Sequence, residues 1–518
     1  MPILTEAETG SPEFWAEKTP DAVAVISGNE QLSYKEWNTR ANKMANSLAK
    51  HDLKPGDRLG MRFRLGIDWF VAQRALQKLG IVQVAVNYRL TADEALYILH
   101  DSGAKGMLCD DNDPRPWLKH NIGLLITFGQ AESAKYLRYE DLVAEGETTP
   151  RFGAARPQMV MYTSGTTGYP KGVPPPEPPK TDAEKDRVNR FLESIASRPK
   201  RPDGRRVVML SLPVHHGAGP LNSTVATATG GTTVLLSPFD PLEALRLIEK
   251  YRVNMWTAVP TMLQRIRSLS SEVVANYDVS SIETLITGAA PVGSALVKWV
   301  IEVFGPDVLW ETYGLSEAGI VGAISPREKL DRPGCSARVH DGAEVIIVDH
   351  EWNELPAYEI GEIAVSTPFV LKNYIGKPLL GLEVLRDGFY KTGDAGYLDK
   401  DGYLYITDRI KDMIVAGGVN IYPAEIEKVI ASHEDVRTCA VIGIPQEEFG
   451  EQPMAYVIRR HGSILTEDHL REYIAVKLAR YKHPRIYKFV DDLPLNTVGK
   501  INKVELRDKY WQGHERKI

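Results

Sequence analysis

Short apolar runs recur along the first two thirds of the chain, and helix-length segments separate them. The runs are IVQVAVN (81–87), KGMLCDD (105–111), VVMLSLP (207–213), TTVLLSP (232–238) and the start of ETLITGAAP (283–291). Between them lie patterns of helical period. SYKEWNTRANKMANSLAK (33–50) opens on a capping Ser, TADEALYILHDSG (91–103) opens on Thr and stops at Gly103, and a further helix is expected around Val297–Val303. KPGDRLG (54–60) turns the chain into another short strand. Strands alternating with helices in this way predict an α/β body on mainly parallel sheet.

From Ala343 the texture changes. AEVIIVD (343–349), GEIAVST (361–367) and GYLYITD (402–408) are alternating strands with Gly-rich turns, which predict a β-rich subdomain. After Asp408 the order becomes helix (YPAEIEKVIASH), strand (TCAVIGIP), strand (PMAYVIRR), helix (TEDHLREYIAVKLA) and a strand near YKFV. A large N-terminal domain, 1–410, and a small α+β domain, 411–518, are therefore expected, without internal repeats. One biased segment, 174–206, interrupts the pattern. It opens with PPPEPPK, passes a predicted helix (TDAEKDRVNRFLESIASR) and closes with PKRPDGRR. Proline cannot continue a helix, so this reads as a stiff surface excursion, either a local spacer or a proline-rich ligand for a partner domain.

Composition excludes several functions. A net charge of −6 gives no electrostatic basis for a nucleic-acid partner. No apolar run approaches the ~20 residues of a membrane span. The start, MPILTEAETGSPEFW, lacks the pattern of a secretory signal. Cys109, Cys335 and Cys439 are odd in number and far apart, which argues against a disulfide framework and fits a cytoplasmic protein. Oligomeric state has no motif, and a homodimer stays open.

TSGTTGYPK (163–171) carries the first chemistry. Gly165 and Gly168 permit close approach to the main chain, Thr163, Ser164, Thr166 and Thr167 supply hydroxyls, and Lys171 supplies a cation. Successive amides there can form an anion-binding nest. The spacing is not that of the common nucleotide P-loop, because Tyr-Pro precede the Lys and Gly172 follows it. Further segments suit the same ligand: TGAAP (287–291), WETYGLSEAG (310–319), YKTGD (390–394), DRIKDMIVAGGVNIYPAEIE (408–427) and LPLNTVGKINKVEL (493–506).

Together, and in this order, these motifs resemble the adenylate-forming superfamily of acyl-CoA synthetases, peptide-synthetase adenylation domains and beetle luciferases. The resemblance implies the two-domain α/β fold above, with the small domain mobile. It also implies two half-reactions using ATP, Mg²⁺ and coenzyme A. A carboxylate attacks the α-phosphate of ATP, giving an acyl-adenylate and pyrophosphate, and a thiol then displaces AMP. Residue by residue, the resemblance assigns Thr163–Lys171 to the β- and γ-phosphates and Tyr313 to adenine stacking. Gly288, Ala289 and Ala290 would line adenine and the acyl group, with Gly314 beside the acid. Ser316 would lie near the α-phosphate, and Glu317 would bind the metal. Asp394 would grip the ribose, Arg409 the ribose or phosphate, and Lys411 would be the hinge. Lys500 would stabilise the charge gathered during adenylation. His216, in PVHHGAG (213–219), would flank the acyl tunnel; the adjacent His215 and His216 have no third ligand for zinc. Gly417 and Gly418 would let a pantetheine arm pass.

The pattern departs from the family after KGV, where PPPEPPK replaces the start of a helix. Prolines remove amide donors beside the phosphate loop, so one alternative is a protein that thioesterifies a preformed acyl-adenylate and adenylates poorly. Another is a non-catalytic acyl-adenylate or nucleotide binder, which the presence of Lys500 and Glu317 opposes. GPLNSTVATATGG (219–231) is rich in small residues near the expected acyl pocket, so the reading favours a bulky or polycyclic carboxylic acid and, next, a long-chain fatty acid. The acceptor is CoA or the thiol of a carrier protein.

Overall fold

The structure is a computed structural model, and it describes residues 6–113, 115–128, 136–154, 158–163, 170–196, 204–288, 292–417, 419–495 and 501–512. It is a mixed α/β fold that divides by compactness into two units. One comprises Met1–Val321, Ser325–Asp331 and Thr367–Leu382; the other comprises Gly322–Ile324, Arg332–Ser366 and Glu383–Ile518.

The first unit holds two sheets. In one, the order is Tyr136–Arg138, Leu124–Thr127, Gly106–Cys109, Arg58–Arg62, Val82–Ala85, Met159–Thr163 and Lys171–Val173. All pairs there are parallel except the last. Successive side chains point to opposite faces, and both faces are covered. Leu108 joins a core with the helices Tyr34–Leu48 and Ile67–Lys78, while Met107 and Cys109 join another with the helix Ala92–Ser102. The second sheet is parallel from Leu309–Leu315 through Thr284–Gly288, Met255–Thr257, Val207–Leu210 and Thr232–Leu235 to Val23–Ser27.

Local signals determine the helix ends. Ser33 and Thr91 both form capping boxes, with Glu36 and Glu94, and Gly103 ends its helix at φ +64°. GPLNSTVATATGG, in contrast, is mostly helix, Ala218–Ala228. Its hydroxyls bond back onto the helix: Ser223 and Thr224 donate to the Pro220 carbonyl at 2.8 and 3.0 Å, and Thr227 donates to that of Ser223 at 2.9 Å. Ala226 packs with Val208, Met255 and Ile286 of the sheet, so part of the small-residue content serves close helix–sheet packing.

The second unit contains an antiparallel sheet in the order Glu344–Val348, Gly361–Ser366, Phe389–Leu398, Tyr403–Arg409 and Ala337–Val339. That sheet's last strand toward the C-terminus stops at Arg409; a short 3-10 turn, Ile410–Asp412, follows, and another sheet begins at Ile414. In the latter, the long hairpin Val436–Gln446/Gly450–Arg459 has cores on both sides. Val441 and Ala455 face the helices Pro423–Ala431 and Glu467–Ala475, while Ile442 and Met454 meet Leu506 of the helix Lys503–Trp511.

A buried ionic cluster fastens the N-terminal helix Pro12–Lys18 to the rest of its unit. Glu13 pairs with Arg74 and Lys78, and all three side chains are at most 2% exposed. Arg74 also donates to the carbonyls of Gly153 and Ala154 at 2.8 and 2.7 Å, and Lys78 to that of Arg151 at 2.6 Å. Burial alone would raise the Glu13 carboxyl, but the two cations overcome it and hold the pKa at about 2. Changing Glu13 to Gln leaves two buried cations without their anion. A loss of about 3–5 kcal/mol is expected, measured by denaturant unfolding, with Glu13→Asp less damaging than Glu13→Gln.

Candidate functional site

The phosphate-type loop is a hairpin connection. Met159–Thr163 and Lys171–Val173 pair antiparallel with Thr163 opposite Lys171, so the ends of the loop are held side by side. Ser164, Gly165, Thr166, Thr167 and Gly168 lie outside the described residues, as do Ala289, Ala290, Gly418 and Lys500. WETYGLSEAG is a second hairpin: the strand Leu309–Leu315, a turn over Ser316, Glu317 and Ala318, and the strand Gly319–Ile324. Gly319 adopts φ +75° in that bend.

The two hairpins meet at Glu317. Its Oε1 accepts from Thr163 Oγ1 at 3.1 Å and from Tyr374 Oη at 3.3 Å. Lys171 Nζ lies over the Tyr374 ring, 5.3 Å from its centre. A third segment ties the pieces together through their main-chain carbonyls. Thr367 Oγ1 donates to the Ala318 carbonyl at 2.7 Å, the Leu371 amide donates to the Glu317 carbonyl at 2.7 Å, and the Ile375 amide donates to the Gly172 carbonyl at 2.8 Å. Thr163, Lys171, Glu317 and Tyr374 thus form one half-buried polar group within the first unit. One carboxylate flanked by two hydroxyls fits Mg²⁺, a hard cation that takes one or two protein carboxylates and completes its shell with phosphate oxygens and water. Among the described residues no cluster of three His, Cys, Asp or Glu offers an all-protein metal site.

Ser316 is exposed in the same turn, and Tyr313 is buried at 8% exposure on the strand leading to it. Gly314 and Gly288 have packing reasons for their size besides any ligand. A Cβ on Gly314 would stand 2.3 Å from the Gly319 carbonyl oxygen, and one on Gly288 would stand 2.6 Å from that of Thr312. His216 is half-buried in the turn before the helix Ala218–Ala228. Its neighbour His215 was not singled out for a role by the sequence reading. Both His215 ring nitrogens are buried without a hydrogen-bond partner among the described residues, and the ring meets Tyr88 edge-on with centres 5.9 Å apart. Burial, then the charges of His216 and Arg89, lowers the His215 pKa to about 4, so the imidazole is neutral near pH 7.

In the second unit Asp394 and Arg409 are opposite one another on neighbouring strands, and Arg409 Nε lies 2.6 Å from Asp394 Oδ1. Asp394 is 11% exposed at its side chain. Gly393 precedes it at φ +73°. Lys411 is exposed in the turn Ile410–Asp412. Arg507 Nη1 reaches this turn, donating to the Lys411 carbonyl at 3.1 Å and to Asp412 Oδ1 at 3.2 Å. Beside it, Lys503 pairs with Glu427 at 2.8 Å, and Asp408 accepts from the Arg409 and Ala424 amides, each at 2.7 Å. Gly417 turns the hairpin after Ile414–Ala416 at φ +58° and donates its amide to the Phe449 carbonyl at 2.7 Å.

Tyr374 and His215 escaped sequence reasoning for different reasons. Tyr374 sits in KNYIG, where nothing nearby in sequence marks its meeting with Glu317. The signal for His215 was the doublet itself, since two adjacent side chains of this kind face different surroundings.

The chain matches the family AMP-binding enzyme over residues 12–375 and the AMP-binding enzyme C-terminal domain over residues 425–500. A fatty acid–[acyl-carrier-protein] ligase of Streptomyces coeruleorubidus is 31% identical over 525 residues, covering 98% of this chain and 96% of its own. A feruloyl-CoA synthase of Amycolatopsis sp is 33% identical over 504 residues, covering 96% and 97%. The o-succinylbenzoate CoA synthetase of Bacillus subtilis, solved with its acyl-adenylate intermediate, superimposes with a TM-score of 0.81 at 27% identity, covering 98% of this chain and 99% of that one. The same synthetase with ATP and a magnesium ion gives a TM-score of 0.79 at 27% identity over 96% and 98%.

Two outcomes are expected. Tyr374→Phe removes a hydroxyl from Glu317 while keeping the ring beneath Lys171, and it should weaken Mg²⁺ dependence of turnover by about tenfold, read as a shift in the Mg²⁺ titration of pyrophosphate release. Burial raises the Asp408 carboxyl from 3.8 to about 6, despite the opposing effects of Lys503 and the two amides. A carboxyl with a raised folded-state pKa binds its proton more tightly when folded. Its contribution to stability is therefore greatest below the unfolded value and falls as pH rises towards 6. The stability difference between Asp408→Asn and the parent should change by on the order of 2–3 kcal/mol between about pH 4 and pH 7, in the direction that favours the variant at the higher pH.

Proposed function

We propose that this chain, which belongs to the AMP-binding enzyme family and is an AMP-forming acid–thiol ligase, joins a carboxylic acid to coenzyme A through an acyl-adenylate. The observation that carries this reading is the meeting of Thr163, Glu317 and Tyr374 at the base of the loop closed by Thr163 and Lys171. A cation-bearing loop beside a single carboxylate suits a metal-bound triphosphate. Bound Mg²⁺ there would neutralise phosphate charge. Lys171 and the loop would hold the β- and γ-phosphates, Tyr313 the adenine and Asp394 the ribose. An oxygen of the acid attacks the α-phosphorus, the bond to the β-phosphate oxygen breaks, and pyrophosphate leaves. Lys500 would balance charge at that step. The thiol sulfur then attacks the acyl carbon and AMP leaves.

The small domain would begin at about Lys411 and turn on it between the two steps. Support for that boundary comes from the end of one sheet at Arg409 and the start of the next at Ile414. The acid is taken to be bulky or polycyclic, with a long-chain fatty acid next. Compared relatives are named for feruloyl, fatty-acid and o-succinylbenzoate substrates. A carrier-protein thiol is the second acceptor to test, because one compared relative is named for an acyl-carrier protein. Three free, buried cysteines suit a reducing compartment such as the cytoplasm, and no helix of the described residues is long and apolar enough to cross a membrane.

The deciding experiment runs acid, ATP and CoA beside synthetic acyl-adenylate and CoA. Pyrophosphate release with thioester in the first arm supports a full ligase. Thioester in the second arm alone would show instead an enzyme that depends on preformed adenylate, and neither product would favour a binder. Lys500→Ala should lower pyrophosphate release by ~10²-fold or more and leave thioester formation from the adenylate within a few-fold. Equal losses in both arms would remove Lys500 from the adenylation step.

A further inference from the structure

The excursion after the phosphate loop is built onto the segment that holds Glu317. PPPEPPK follows the strand Lys171–Val173, belongs to no helix or strand, and leads into the helix Asp182–Ala196. Thr181 and Glu184 start that helix, the Glu184 amide donating to Thr181 Oγ1 at 3.2 Å and the Thr181 amide to Glu184 Oε2 at 3.0 Å. Among its described side chains only Phe191 is buried, at 1% exposure, and the others are exposed or half-buried. The Phe191 ring stands edge-on to Phe369, with centres 5.5 Å apart. Phe369 lies between Thr367 and Leu371, whose bonds fix the turn bearing Glu317. A second link, Glu177 to Lys372 at 3.6 Å, is exposed at both ends and contributes little.

The helix places Val188, Phe191, Leu192 and Ile195 at helical spacing on one face, and Phe191 is the fully buried aromatic knob of that face. That knob rests on the segment whose Tyr374 touches the metal-side carboxylate and lies beneath the phosphate-side cation. We propose that Phe191, through Phe369, is a positioning residue for the phosphate and metal half of the site, so that the proline-led excursion supports ATP binding instead of impairing it. The inference rests on the assignment of Glu317 and Lys171 to metal-bound ATP. The prolines serve it by stiffness: they span from Val173 to Thr181 without a flexible linker, so the knob arrives at a fixed distance from the strand.

The effect should be confined to the ATP-dependent step. Phe191→Ala removes the aromatic support of Phe369 in the segment Thr367–Ile375, and Mg·ATP affinity should fall about 10- to 100-fold, as when outer partners of a metal ligand are lost. Isothermal titration calorimetry of Mg·ATP with the full chain, without acid, reads this apart from turnover. Thioester formation from synthetic acyl-adenylate and CoA should stay within about twofold, and Phe191→Leu should restore most of the affinity. Unchanged Mg·ATP affinity in Phe191→Ala, or equal loss in both half-reactions, would overturn the proposal. Absence of Mg·ATP binding by the parent protein would overturn the assignment it rests on, and the proposal with it. Should Phe191→Ala not yield folded protein, the same pair of measurements on Phe369→Leu decides, with the same expected split.

Discussion

The main chain from Thr367 to Ile375 is bonded on one side to the turn bearing Glu317 and on the other to Gly172, next to Lys171. The candidate site depends on that tie. Thr163 and Glu317 are 154 residues apart in sequence, and no strand pairing joins their two hairpins directly in the bonds described. Main-chain bonds fix distance and direction more tightly than a pair of long side chains could, because they carry no rotamer freedom. With the backbone held, Tyr374 meets Glu317 while its ring lies under Lys171. A cation and a carboxylate are thereby kept near one another without forming a closed ion pair, which leaves both able to face a charged ligand.

Buried charge does separate work in the two units. Glu13, Arg74 and Lys78 have no exposed surface to speak of, and their partners include main-chain carbonyls on a distant loop. Such a cluster fixes the docking of a short helix, since any other placement would strand an ion in a medium of low dielectric. In the second unit the charges cluster around the turn that follows Arg409. Arg507 grips that turn, and Lys503, Glu427 and Asp408 lie beside it. The helix Lys503–Trp511 carries both Lys503 and Arg507, so it is anchored to the turn at Lys411.

Much of the architecture was legible because its causes are local. Ser33 with Glu36 and Thr91 with Glu94 specify helix starts within four residues, and the αL stop at Gly103 needs only a missing side chain. The strands Val82–Ala85, Gly106–Cys109, Val207–Leu210, Thr232–Leu235 and Thr284–Gly288 were legible because parallel sheets covered on both faces leave unbroken apolar runs. Readings failed to name an element where its cause was distant. The helix Ala218–Ala228 carries Thr and Ser that propensity disfavours, and what seats it is the packing of Ala226 on Val208, Met255 and Ile286 of a sheet. The strand Phe389–Leu398, which contains YKTGD, is defined by partners on either side in the sheet.

The sequence by itself determined the α/β class, the helix caps, the order of the motifs and hence the family, because each depends on residues close together in the chain. It also singled out Glu317, Lys171 and Asp394 as candidates by type and context. Tertiary structure alone decided that Thr163 and Tyr374 share Glu317 Oε1, that Asp394 faces Arg409 across a strand pair, and that Phe191 is the seated residue of the proline-led excursion. These contacts join residues from about fifteen to nearly two hundred positions apart. Their geometry follows from how sheets and loops pack against one another, and a one-dimensional pattern of hydrophobicity and turn residues does not carry that distance information.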